Sequence, residues 1–394
     1  MKGPIARSVL QASLLACVAY HHAGAGQQLY QVTPLSSNGG TVSRGNSINN
    51  RGWIAGYSNL PGNQNRHATL WANGSRLDLG TLGGPNSSVA WPVKNNHGLL
   101  AGIAQTATPE PLGERWSCSA FFPGATGTGY TCLGFAWKNG VMKALPTLGG
   151  HNGFATGAND RGQIVGWAEN TVHDPTCVPP QVLQFHAVIW GPEEGRVRPL
   201  PPLPGDSSSA ATAINDRGQV VGISGTCDQA VGRFTARHAV LWEDGTVNDI
   251  GAIGGETWNT PMAINQQGDV VGFASLPGSD PDDPVLHAVF WSRDGGIRDL
   301  GTLPGDATSE AHGINGRRQV VGLSCGASDC RAFLWEDGVM TDLNTLVAPG
   351  YSGHLYMAQD VNDIGEITGR AVDPETGELP AFLAVPVPAT ARRR

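Results

Sequence analysis

The sequence predicts an all-β fold: a seven-bladed β-propeller of four-stranded blades, with an N-terminal strand closing the last blade. Three observations predict it. A phrase typified by Ala213-Ile214-Asn215-Asp216-Arg217-Gly218-Gln219-Val220-Val221-Gly222 recurs along the chain, with its Asn at Asn49, Asn95, Asn159, Asn215, Asn265, Asn315 and Asn362, at spacings of 46, 64, 56, 50, 50 and 47. A second phrase ends in Trp, as in His67-Ala68-Thr69-Leu70-Trp71, and a third follows it, as in Asp78-Leu79-Gly80-Thr81-Leu82-Gly83-Gly84. The third phrase has six copies against seven of the others, and Tyr30-Gln31-Val32-Thr33-Pro34-Leu35 stands at the opposite end of the chain where the missing copy belongs.

Each unit contains four short apolar runs separated by Gly, which reads as four strands joined by turns. Strand A runs up to the Asn, strand B follows the Gly of the turn, strand C ends at the Trp, and strand D carries the third phrase. The Asn-x-x-Gly joint between A and B suits a tight hairpin turn with Gly in the left-handed conformation. Four-stranded units of about 50 residues have the period of propeller blades. The first unit starts at strand A and the last stops at strand C, so a spare D strand at residues 30 to 35 completes blade 7 and closes the ring without a covalent bond. A solenoid has no need of two complementary ends. The 55 glycines in 394 residues, too many for an ordinary globular composition, fall largely at these turns and strand ends.

The phrases, in their order, resemble the HAF-repeat proteins, bacterial extracellular repeats with a His-Ala-Phe-like triplet before Leu-Trp, over about residues 30 to 385. The resemblance implies export and carries no established activity. Unit 2 departs from the triplet with Leu133-Gly134-Phe135, unit 6 has Arg331 in place of the His, and unit 7 lacks the Trp.

The N-terminus supports export independently. Lys2 and Arg7 precede a largely apolar stretch from Val9 to Ala19 and a small-residue segment ending at Ala25, which reads as a signal peptide over residues 1–25. The alternative is a lipobox at Leu14-Leu15-Ala16-Cys17, with a lipid anchor at Cys17. The propeller then occupies residues 26–388 as one domain, followed by a basic tail at 389–394. The protein is expected to be secreted or periplasmic, or else an envelope lipoprotein, and a monomer. The net charge of −8, without a basic stripe outside Arg392 to Arg394, argues against nucleic acid as a partner. No later stretch has the ~18 apolar residues of a membrane span. Six cysteines remain after Cys17, and an even number in an exported chain reads as disulfides. Proximity pairs Cys118 with Cys132 and Cys325 with Cys330, leaving Cys177 with Cys227, one of 15 connectivities.

The repeated residues are expected to be structural. His67, His186, His238 and His287 occur one per blade and cannot converge on one metal ion, so no metal or cofactor is expected. The strand-C Trp residues read as packing between blades. Function is sought where units differ. The B-to-C loops contain 10, 30, 19, 15, 14, 8 and 10 residues in units 1 to 7, and all six paired cysteines fall in them. These loops share a face with the D-to-A loops, where binding residues are expected. Trp91, Trp116, Trp167 and Trp258 map there, with His151, Asp206, Glu256, Glu310 and His354. This set predicts a noncatalytic binding or adhesion module for extracellular glycan or protein. The alternative is a carbohydrate-active enzyme, a polysaccharide lyase or hydrolase, using the acidic and His residues of the same face. No nucleophile elbow, zinc-protease helix motif or phosphate loop is present, so no catalytic residue is assigned.

Overall fold

The computed structural model describes residues 28–229 and 232–388. Both N-terminal readings, the cleavage site and Cys17, and the basic tail at 389–394 lie outside the described residues. The rest is seven antiparallel four-stranded sheets arranged as blades in a ring. Six blades take their strands in sequence order. The seventh combines His354–Val361, Ile367–Val372 and Ala381–Pro386 with Tyr30–Pro34, so the N-terminal strand is the outer strand of the last blade, as the repeat offset predicts. Val32 lies opposite Ala384 and Tyr30 opposite Pro386. Tyr30 and Val32 are buried beside Leu343, Leu346 and Phe382, so side-chain packing as well as the strand ladder holds the closure.

Burial falls from the axis outward. Strand A of blade 4 (Ser208–Ile214) is buried along its whole length, whereas strand D of blade 1 (Ser75–Asp78) is exposed throughout. The repeated Asn residues stand at the A-to-B turns around the axis. Each side-chain Oδ1 accepts backbone N–H groups from its own turn, as Asn215 does from Arg217 and Gln219 at 3.0 and 3.1 Å. Each Nδ2 donates to the backbone carbonyl of the Asn in the next blade, at 2.7 to 3.3 Å. The seventh of these bonds runs from Asn362 back to Asn49 and closes the ring. A side chain that mostly caps turns in other proteins therefore also joins neighbouring blades here.

The Gly that ends Val-Val-Gly has an equally specific cause. In six blades strand A carries a bulge just before the turn, between Ala211 and Ala213 in blade 4. The bulge brings the carbonyl oxygen of Ala210 to 2.1 Å from where a Cβ on Gly222 would sit, and the same overlap recurs at Gly56, Gly102, Gly166, Gly272, Gly322 and Gly369. Only Gly admits that carbonyl. The turn Gly is left-handed in six blades, and blade 6 puts Arg318 there at φ 62°. The Arg318 guanidinium forms an ion pair with Asp269 at 2.9 Å.

The strand-C His residues are structural, as expected. His67, His238 and His287 place Nδ1 2.9 to 3.2 Å from Asp78, Asp249 and Asp299 on strand D. In blade 3 the Asp position is Pro199, opposite Val188, and His186 meets the Ser207 carbonyl at 3.2 Å instead. In blade 6 Arg331 replaces the His and still pairs with Asp342, at 3.3 Å. The strand-C Trp residues do join blades: Trp71, Trp190 and Trp242 donate their Nε1–H to Ser36, Pro146 and Pro201, carbonyls at the end of the preceding blade.

All three expected disulfides form, Cys118–Cys132, Cys177–Cys227 and Cys325–Cys330. Cys177–Cys227 joins the B-to-C loops of blades 3 and 4, and the other two stay within one blade. Such bonds fit a protein folded in an oxidising compartment. None of the described helices is long and apolar enough to cross a membrane.

Two stability measurements test this reading. Gly222→Ala forces a methyl group onto a backbone carbonyl and is expected to cost on the order of 3 kcal/mol in denaturant unfolding. Gly245→Ala, in an open turn, costs about 1 kcal/mol through its positive φ alone. A chain lacking residues 28–40 leaves the edge of Ala381–Pro386 unpaired, and light scattering is expected to show aggregation at concentrations where the intact chain stays dispersed.

Candidate functional site

The A-to-B turn end of the axis is filled by groups that already have partners. A small cavity of about 50 Å³ there is lined by Ile48, Ile264, Ile314, the Asn turns and Lys94. Lys94 of blade 2 reaches across blade 1 to an ion pair with the wholly buried Asp360 of blade 7.

The opposite end, on the face of the B-to-C and D-to-A loops, is different. One equivalent A–B cross-strand pair per blade lies toward this end: Arg44–Tyr57, Ser88–Ile103, Phe154–Trp167, Ala210–Ile223, Thr260–Phe273, Glu310–Leu323 and Met357–Arg370. The strand-B member is apolar in blades 2 to 6. In blades 1 and 7 it is Tyr57 and Arg370.

Three guanidinium groups converge on Tyr57. Arg66, at the start of strand C of blade 1 (Arg66–Ala72), sits 4.2 Å from the ring centroid, Arg44 at 5.5 Å and Arg370 at 5.9 Å. Arg370 also donates to the Tyr57 hydroxyl. Arg66 donates through Nη1 to the Phe121 carbonyl at 2.8 Å, and Arg44 Nη1 lies 3.7 Å from Met357 Sδ. The Nε atoms of Arg44, Arg66 and Arg370 are buried and without hydrogen-bond partners, and among the described residues none of the three guanidiniums makes an ion pair. The nearest acid, Glu310, is paired with His312 Nε2 at 3.0 Å, which leaves His312 Nδ1 buried and unpaired.

Like charges in a poorly solvated place repel one another, and Arg44 and Arg66 show it. Burial pushes Arg44 down to about 10, with Arg370 and Arg66 adding to the effect and Tyr57 opposing it. Burial also lowers Arg66, and Arg370 again contributes. For Tyr57, burial works upward, but Arg44, Arg370 and Arg66 together outweigh it and hold the phenol below its ordinary value. Arg44, Arg66 and Arg370 are half-buried, whereas Tyr57 is only 4% exposed, so solvent reaches the cluster along the guanidiniums and not across the phenol ring. A concentration of positive charge with idle donors matches a bound anion.

Beside it lies an aromatic sector. Trp91 makes edge contacts with Phe121, Phe154 and Trp167, at centroid separations of 5.4, 5.5 and 6.2 Å. This corrects the expectation of exposed aromatics at two positions. Trp167 is 0% exposed and Trp91 7%, because Trp167 fills an apolar position of the ring and Trp91 packs between its neighbours, so neither presents a face for stacking. Trp258 is partly exposed, on left-handed backbone at φ 57°. Trp116 opens a short helix, Trp116–Phe121, and its side chain lies outside the described residues. The polar set is spread over five blades. His151 and Glu256 are exposed, Asp206 accepts from Ser224 Oγ at 2.7 Å, and His354 meets the Cys330 carbonyl at 2.9 Å. Only Glu310 adjoins the cationic cluster. Asp174, Cys177 and Cys227 lie within 4.8 Å of one another, but both sulfurs belong to a disulfide.

The long insertion of blade 2 is fastened by a second polar device. Glu114 accepts from the Val182 and Leu183 N–H groups, both at 2.7 Å, and Glu169 from Asn152 N–H at 2.9 Å. Gln181 bridges the two carboxyls, donating at 3.3 and 3.0 Å. Burial, and then the neighbouring Glu114, push Glu169 up to about 8.

No family model matches the chain, and no curated protein does. Among solved structures it is similar to the propeller domain of the Trilobed protease from Pyrococcus furiosus, with 15% identity, 75% of this chain and 79% of that one covered, and a TM-score of 0.46. An oligogalacturonate lyase from Vibrio parahaemolyticus aligns with 12% identity over 91% of this chain and 94% of that one, TM-score 0.45. A polysaccharide lyase aligns with 9% identity over 93% of each, TM-score 0.42. Such likeness extends to the fold alone. The class is that of the seven-bladed propellers, and the reading of the site rests on its own residues.

The Glu169 shift has a defined consequence for stability. The fold favours the protonated carboxyl, so its contribution is complete below the ordinary carboxyl range and is lost as pH rises from about 4.5 through about 8. Wild type is expected to lose more melting temperature between pH 5.5 and 8.5 than Glu169→Gln, which keeps a neutral side chain of the same shape. Calorimetry of the two proteins at both pH values measures the difference.

Proposed function

We propose that this protein is an exported glycan-binding propeller that captures an acidic saccharide at the arginine cluster on the loop end of its axis, called here the funnel. One observation carries the reading: Arg44, Arg66 and Arg370 converge on Tyr57 without an ion pair among the described residues, and Glu310, the acid beside them, is paired with His312. The fold does not require this cluster, since blades 2 to 6 build the corresponding strand-B position from Ile103, Trp167, Ile223, Phe273 and Leu323. Retaining it at the expense of repulsion points to a ligand that supplies the missing negative charge. Phe121 connects the cationic sector to the aromatic one, and an anionic group on a ring with an apolar face suits that combination. The three disulfides and the N-terminal segment support export. On this reading the ligand sits at the centre of the face that carries the B-to-C and D-to-A loops, and not on the Trp-bearing loops themselves.

The test is titration calorimetry against carboxylated, sulfated and neutral polysaccharides. Binding to acidic polymers and not to neutral ones is expected, weakening as salt rises. Arg370→Met removes one charge-assisted contact, worth roughly 1.5 to 3 kcal/mol, and is expected to weaken binding about ten- to a hundredfold. Trp258→Ala is expected to leave it unchanged. Equal affinity for neutral polymers, or no effect of Arg370→Met, overturns the proposal.

A further inference from the structure

We infer that the funnel also cleaves its ligand, a uronate-containing polysaccharide, by β-elimination, with Tyr57 as the acid–base residue. This rests on the acidic-saccharide reading of the same site and adds a reaction to it.

Elimination from a uronate needs two things of a protein. Positive groups must hold the C5 carboxylate and accept the charge that builds on it as the C5 proton leaves. A basic atom must stand next to that carboxylate. The cluster supplies both within one set of contacts. Arg370 donates to the Tyr57 hydroxyl, so a carboxylate held by Arg370 is held beside the phenol oxygen, with Arg66 and Arg44 adding positive charge 4.2 and 5.5 Å from the ring centroid. The same three charges favour the phenolate, the form that accepts a proton. The arginines have idle buried Nε–H donors. A purely structural Tyr–Arg stack would be expected to use them.

The step balances without any further reagent. The Tyr57 phenolate takes H5, and the C5–H electron pair forms the C4=C5 double bond. The C4–O4 bond breaks with its electrons on O4, which takes the proton from the Tyr57 hydroxyl, so the phenolate is restored and one chain becomes two. A single oxygen serving both H5 and O4 must reach them from one face of the sugar. Glucuronate and mannuronate have H5 and O4 on the same side of the ring, and galacturonate has them on opposite sides. The site is therefore assigned to glucuronate- or mannuronate-configured polymers.

The experiment incubates the purified chain with hyaluronan, mannuronate-rich alginate and polygalacturonate. It reads the ultraviolet absorbance of the unsaturated uronate and the masses of the products, an unsaturated end being one water lighter than a hydrolytic one. Unsaturated products are expected from hyaluronan or the alginate and not from polygalacturonate. Tyr57→Phe is expected to lower kcat by about a hundredfold or more, with binding of the polymer retained within a few-fold and an unchanged circular dichroism spectrum. Binding of uronate polymers without any unsaturated ends overturns the elimination and leaves capture standing. Hydrolytic ends, or full activity in Tyr57→Phe, also overturn it. Absence of binding to all acidic polymers overturns the reading beneath it.

Discussion

The molecule depends on one hydrogen bond made seven times, from the Nδ2 of a turn Asn to the backbone carbonyl of the Asn in the next blade. Each Asn is buried, so an unmade bond would leave a desolvated amide with a penalty of roughly 1 to 3 kcal/mol. Because the same side chain also fixes its own turn, rotating one blade against its neighbour disturbs both. The ring sets how close the strands A stand to the axis, and hence how narrow the funnel is at the other end of those strands. A second circle of bonds surrounds it, as where Asp160 N–H donates to Asp216 at 2.7 Å and Asp363 N–H to Asn50 at 2.9 Å. Gly316 has no side chain with which to accept from Gln266, and the outer circle has no such link there.

The architecture was legible in the sequence because a propeller writes the same constraint seven times. The bulge behind each Val-Val-Gly, the Asn ring and the His–Asp pairs leave identical residues at fixed offsets, and even the exceptions are paired. Arg331 takes the place of a His and keeps its Asp, whereas His186 loses its Asp to Pro199 and finds a carbonyl. The spare N-terminal strand was legible for the same reason, since a missing copy at one end and an extra one at the other have one simple solution in a ring.

The site was not legible in the same way. Length variation and nonrepeat Trp residues point to the loops, yet the arginine cluster sits on strands inside the repeat. Trp167 seemed extra only because its position is Ile103 or Ile223 in other blades; it is an ordinary apolar member of the ring. The usable signal was a change of chemical class at aligned positions: Tyr57 and Arg370 where five other blades are apolar, and Arg44 where its counterparts include Ala210 and Phe154. Residues equivalent in sequence become a cluster only when the ends of the chain meet. Arg370 and Arg44 are far apart along the chain and belong to blades 7 and 1, neighbours only because Tyr30–Pro34 completes the ring.

That placement ties the chemistry of the funnel to its mechanics. The chain runs from strand D into strand A at every junction between consecutive blades, but strand D of blade 7 is Tyr30–Pro34, so the other three strands of that blade, Arg370 among them, are held to blade 1 by strand pairing, the Asn362 to Asn49 bond, and the reach of Lys94 across to Asp360. Three guanidiniums crowded at this joint push it apart. An anion between Arg370 on one side and Arg44 and Arg66 on the other converts that repulsion into attraction across the joint, and a ligand that binds only the closed ring stabilises it by mass action. The fold thus keeps its noncovalent closure and these crowded positive charges close together, and a bound carboxylate would bear on both.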